Sequence, residues 1–146
     1  MIIQSYTTSF LKQLLEGVHD FRSSDGDVFK LALYTEDANL NINTTEYSTT
    51  GEVVATGYTS GGITLTNVNP SIYNSCAISD FDDVSWTAEI TARGALIYNT
   101  TPAHTYSNPS VVVLDFGINR VSTNGVFRVQ FPLATDATAI IALGAV

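Results

Sequence analysis

The apolar positions of this chain change period once. Phe10, Leu11, Leu14, Leu15 and Val18 recur at spacings of three and four, which lays them on one helical face. Thr8 or Ser9 stands ready to cap the start, and Gly17 is placed to end the helix. A helix of about two to three turns is not stable alone and must dock on something. It covers either an edge of its own domain or a neighbouring subunit. From residue 28 onward the period is two. Phe29, Leu31 and Leu33 alternate with Lys30, Ala32 and Tyr34, as in a half-buried strand. Further strands are predicted over 52–56, 63–68 and 76–81, the first two separated by the turn Gly57-Tyr58-Thr59-Ser60-Gly61-Gly62. Trp86, Ala88, Ile90 and Ala92 share a face opposite Glu89 and Arg93. Gly94 then marks a bulge or bend before residues 95–98. Residues 111–116 form a run that is apolar but for Asp115, expected of a strand covered on both sides. Ser122-Thr123-Asn124-Gly125 reads as a hairpin turn. Phe127, Val129 and Phe131 alternate with Arg128 and Gln130 until Pro132 stops the pairing, and 139–143 is a last apolar run.

Seven or eight strands with turn signals between them predict an all-β fold, mainly an antiparallel sandwich or barrel-like, with one short N-terminal helix. No helical pattern alternates with the strands, so a parallel βαβ sheet is excluded. The expected organisation is one compact domain, with an N-terminal arm and short helix over 1–27 and a β-sandwich over 28–146. Residues 36–47 and 99–109 read as long loops, a class that tends to be functional or mobile.

Composition narrows the classes. The chain has 146 residues, enough for one domain, and is 45% apolar. Only 14% of residues are charged, against about 25% in an average soluble protein, which argues against disorder. With 14 acidic and 6 basic residues the net charge is −8. Lys12, Lys30, Arg22, Arg93, Arg120 and Arg128 are scattered, so no footprint for nucleic-acid phosphates is expected, nor one for an anionic membrane. No signal-peptide pattern opens the chain and no apolar run has the length of a membrane-spanning helix. The single cysteine, Cys76, forms no intrachain disulfide and fits a reducing compartment of synthesis.

Candidate chemistry is sparse. His19 and His104 stand beside no nucleophile motif, and Cys76 lies among small apolar residues, as a buried structural cysteine does. Asp25-Gly26-Asp27 and Asp80-Phe81-Asp82-Asp83 lack the alternate ligands and distal Glu of a calcium loop. No catalytic residue, cofactor or metal is therefore expected. Trp86 is expected in the core. Tyr34, Tyr47, Tyr58, Tyr73, Tyr98 and Tyr106 are expected to half-bury their rings and leave the hydroxyls wet.

One ordered set of segments goes further. It comprises Phe29-Lys30-Leu31-Ala32-Leu33-Tyr34-Thr35, Gly51-Glu52-Val53, Gly57-Tyr58-Thr59-Ser60-Gly61-Gly62 and Ala92-Arg93-Gly94-Ala95-Leu96-Ile97-Tyr98-Asn99. Val113-Leu114-Asp115-Phe116-Gly117 and Phe127-Arg128-Val129-Gln130-Phe131-Pro132 complete it. In order and spacing it resembles a family of small tailed-bacteriophage virion proteins of the capsid decoration or cement type, over about residues 10–141. The resemblance implies a non-enzymatic structural protein, made in the host cytoplasm and resident on the capsid surface. Its implied partners are the major capsid protein and further copies of itself, a homotrimer being favoured at symmetric sites. Apolar residues on terminal segments are the expected intersubunit contacts: Ile2, Ile3, Tyr6, Phe10 and Leu14, or Ile140, Ile141, Leu143 and Val146. The alternatives are a tail, head-fibre or head–tail joining component, a carbohydrate- or receptor-binding β-module, and, last, an enzyme.

Overall fold

The structure is a computed structural model that describes residues 1–135 and 138–144. Strand β1 (Ser5–Tyr6) and helix α1 (Thr8–Leu15) come first. They are followed by β2 (Phe29–Tyr34), β3 (Ile63–Thr64), β4 (Asn67–Tyr73), β5 (Cys76–Phe81) and β6 (Val84–Thr87). Then come β7 (Thr91–Asn99), β8 (Ser110–Val121), β9 (Val126–Val129) and β10 (Ile141–Gly144). The fold is all-β and antiparallel with one short helix, as the period of the apolar positions predicts. Among the described residues three sheets form: β1-β8-β7-β2-β3, β10-β5-β4 and β6-β9.

The large sheet has a core on each face. Phe29, Leu31, Leu33, Ala95 and Ile97 point one way, into a cluster completed by Phe10, Phe81, Trp86, Phe127 and Ile141. The helix and both small sheets thus roof this face. Ala32, Tyr34, Leu96, Tyr98 and Val113 point the other way and meet Ile2, Ala38 and Leu40. Residues 36–47 therefore serve as the second roof. This corrects the expectation that β2 is half-buried: all of its side chains but Lys30 are buried.

The N-terminal 27 residues are built into this body. β1 is an edge strand of the large sheet, with Ser5 opposite Val113 and Tyr6 opposite Val112. The helix cap is Thr7, one residue before the expected position, because Thr7 still has extended backbone and its hydroxyl accepts from the Phe10 N–H at 3.3 Å. Thr7 also meets Ser110 Oγ at 2.8 Å, and Ser110 donates to the Thr44 carbonyl. The helix ends as expected at Gly17, whose φ of 73° is one that a side chain resists. The Val18 N–H closes on the Gln13 carbonyl and the Gly17 N–H on that of Leu14, which satisfies two orphan acceptors. The buried helical face is narrower than the spacing implies. Phe10 and Leu14 point inward with the polar Gln13, whereas Leu11 is exposed and Leu15 is 91% exposed.

Other boundaries shift too. Residues 52–56 contribute only an isolated bridge, Glu52 to Tyr34, and 63–68 is split between β3 and β4. Gly94 sits at a register break between β7 and β8, as predicted, and a Cβ there would collide with the Leu114 carbonyl. The residues 122–125 do turn tightly, with Thr123 and Val126 exchanging both backbone hydrogen bonds. The strands on either side then part: β8 pairs with β7, and β9 with β6.

Candidate functional site

Three groupings of polar or exposed side chains stand out, and each traces to a local feature of the chain. The first lies where the segment after α1 crosses the end of β7. His19 Nε2 is 2.8 Å from Gln13 Oε1, and Asn99 Nδ2 is 3.0 Å from His19 Nδ1. An amide oxygen only accepts and an amide nitrogen only donates, so the ring is neutral with its proton on Nε2. Burial pushes the His19 pKa down to about 4, against the opposing pull of Asp27. Asp27 in turn accepts from Asn99 Nδ2 and from the Asp20 N–H, both at 2.8 Å. Phe10, Phe21 and Phe29 pack around the imidazole. Both ring nitrogens are committed to hydrogen bonds within the protein.

The second grouping is the buried carboxylate of Glu52. It accepts from Tyr47 Oη and Tyr58 Oη at 2.7 Å, from Ser60 Oγ at 2.9 Å, and from the Gly61 N–H at 2.7 Å. Tyr58 Oη also accepts from the Leu33 N–H at 2.9 Å, while Tyr34 and Tyr98 donate to the Ser48 and Gly61 carbonyls. Among the described residues no cation forms an ion pair with Glu52. Four donors stand in for one, which is how a buried charge is tolerated. Burial pushes the phenols of Tyr34, Tyr58 and Tyr98 well above the ordinary tyrosine range. The expectation of wet hydroxyls is corrected for these three: each is bonded inside the protein because residues 47–62 fold back over β2. This grouping fastens a loop to the sheet. A cleft of about 220 Å³ beside it is lined by Glu52, Tyr58 and Ser60 with Val53 and Val54. Both carboxylate oxygens are already occupied from within.

The third grouping is the exposed surface. Strands β4 and β5 form a hairpin that carries β10; β5 is buried from Ile78 to Phe81, but every residue of β4 after Asn67 is exposed. Register places Leu143, Ala77 and Ile72 side by side across its three strands, with Ile72 82% exposed. Cys76 lies at the tip of this hairpin, half-buried.

The residues expected at subunit contacts are dispersed over these settings. Ile2, Phe10 and Ile141 are buried in the chain's own cores, where they hold this fold together. Leu14 and Ile140 pack partly buried against the main core. Tyr6 does so as well, and its hydroxyl donates to the Ile140 carbonyl and accepts from the Ala142 N–H, which ties the two terminal segments together. Ile3 and Leu143 reach solvent, at 50% and 42% exposure. Val146 lies outside the described residues.

The acidic clusters are also accounted for. Asp27 serves the histidine network, and Asp80 is buried on β5, where burial raises its pKa. Asp83 accepts from the Phe131 N–H at 2.8 Å and from Arg128 at 3.0 Å, which holds its carboxyl below the usual range. Among the described residues no three His, Cys, Asp or Glu side chains converge as a metal ion requires, and no helix is long and apolar enough to cross a membrane. Trp86 is in the core, against Tyr58 and Phe127. No family model matches the chain, and neither does any curated protein or solved structure.

Proposed function

We propose that the chain is a non-enzymatic assembly protein, and that its setting is the surface of a phage capsid, where it cements contacts between major capsid subunits. One observation carries the assembly reading: the His19 ring and the Glu52 carboxylate are turned inward and saturated, while strand edges and apolar side chains face solvent. The ring nitrogens of His19 and the oxygens of Glu52 are bonded within the protein. The solvent side shows Ile72, Val54, Leu133 and Ile118 instead. Neighbouring exposed apolar residues mark places where another protein fits, and Leu143, Ala77 and Ile72 are such neighbours across β10, β5 and β4. The capsid setting rests on the six ordered segments named above. A small β-domain bridging a seam between capsomers adds buried area, and occupancy of symmetric sites multiplies weak contacts. A head-fibre, tail or joining component has the same kind of surface and differs in number.

The test is the copy number in purified particles, measured by quantitative mass spectrometry against the major capsid protein. Shell-wide cement binding predicts a ratio near one-to-one or a simple fraction of it. A handful of copies would place the protein at the tail or portal vertex, and complete absence would overturn the particle setting.

A further inference from the structure

The strands that flank the turn at residues 122–125 leave a gap between them. Val126 exchanges both backbone bonds with Thr123, at 2.9 and 3.1 Å, so its N–H and C=O face β8. Strand alternation turns the backbone of Arg128 the same way and that of Phe127 and Val129 toward β6. On the other side the Ser122 N–H reaches the Ile90 carbonyl at 2.9 Å, so Ser122 faces β7 and Val121 faces the gap. Two strand edges therefore look at each other without pairing beyond the turn. Between them lies a groove of about 720 Å³, with Phe116, Val121 and Val126 as its apolar lining and Arg120 and Arg128 among its polar lining.

Charge says what would enter. The chain carries a net charge of −8 with 6 basic residues, yet two of those six line this groove. Among the described residues Lys12, Arg22, Arg93 and Arg128 have carboxylate partners, whereas Arg120, which is exposed, has none. We propose that the β8–β9 groove receives an extended segment of a partner protein with alternating apolar and acidic side chains. It adds as a strand to the free edge of β9. Its backbone bonds the groove-facing groups of Arg128 and Val121, its apolar side chains lie on the face of Val126, and its carboxylates, on the opposite face, reach Arg120. This surface is argued from free edges and charge and does not depend on the capsid setting.

The test uses the full chain and two synthetic peptides, acetylated and amidated, with the alternations Val-Glu-Val-Asp-Val-Glu-Val and Val-Lys-Val-Lys-Val-Lys-Val. Binding is read by fluorescence anisotropy and located by amide shifts. The acidic peptide is expected to bind, to move the amides of Val121, Arg128 and Gln130, and to weaken as salt rises from about 50 to about 300 mM. Arg120→Glu is expected to lower affinity at least tenfold, and Arg120→Lys to retain most of it. Gln130→Pro, which removes an edge N–H while leaving both arginines, is expected to weaken binding without changing the salt dependence. Unchanged circular dichroism would show that the variants fold. Absence of binding at about 1 mM peptide, equal binding of the lysine peptide, or shifts confined to another face would overturn the proposal. So would a change in oligomer mass on Arg120→Glu, because it would make a second copy of this chain the occupant.

Discussion

Strands β7 and β4 both carry aliphatic residues and a tyrosine but have opposite settings. From Gly94 to Asn99 every residue of β7 is buried, whereas from Val68 to Tyr73 every residue of β4 is exposed. Propensity separates them only in part: β4 also carries Val, Ile and Tyr, but its Pro70 and two Asn suit an edge strand. Coverage completes the separation. β7 lies in the middle of the large sheet, roofed on one face by the helix and small sheets and on the other by residues 36–47. β4 is the edge of the three-stranded flap whose β5 and β10 help to roof the core, and its own residues from Val68 on lie outside that cover. A strand sequence thus fixes pairing more readily than burial, and stability should concentrate where both faces are covered.

The comparison breaks most visibly in the body. Phe29→Ala empties a fully buried site packed against Phe21 and Phe81, and the expected cost is about 3–5 kcal/mol in urea unfolding. A loss under about 1 kcal/mol would mean that the double roof is looser than described. Next comes the clamp on the second roof. Glu52→Ala leaves the Gly61 N–H and the Tyr58 hydroxyl without their acceptor, and roughly 1–3 kcal/mol should be lost. An unchanged unfolding midpoint would show that the tyrosine cluster holds the loop without the carboxylate.

The histidine network supplies the third test. His19 falls from an ordinary 6.5 to about 4 on folding, so the unfolded chain binds the proton more readily. Its contribution is complete above pH 6.5 and is lost as pH drops from there toward 4. Discounted for partial solvent access, this is roughly 1–2 kcal/mol. The wild-type unfolding midpoint should fall across that window, and His19→Gln should flatten the fall. A midpoint with the same slope in both proteins would remove His19 as the cause. At the small end, Ile72→Ala on the flap should stay within about 0.5 kcal/mol of wild type.

Much of this division was legible in the residues, and the remainder has physical reasons. Period-two runs located β2, β6 and β9, and spacing with Gly17 located the helix and its end. What a period cannot report is a roof supplied from far along the chain. The polar composition of residues 36–47 disguises a segment whose Ala38 and Leu40 are buried, so the sequence predicts a half-buried Tyr34 with a wet hydroxyl where the ring is fully buried. The Glu52 cluster was missed because its donors come from Tyr47, Tyr58, Ser60 and Gly61, which gather only when the loop closes. A carboxylate set directly before Val53 and Val54, with glycines and tyrosines downstream, was the available signal. The Asn124-Gly125 turn was plain, but that its two strands join different sheets is a property of β6 and β7 as partners and is not written at the turn.

Native-state hydrogen exchange tests the central contrast most directly. Amides of β2 and β7 should exchange only through global unfolding, with protection equal to the full unfolding free energy. Amides of β4 and of the outer half of β5 should exchange through a smaller local opening that hardly responds to denaturant. Equal protection in the two sets, lost together as urea is added, would contradict the account and make the flap part of the same cooperative unit as the body.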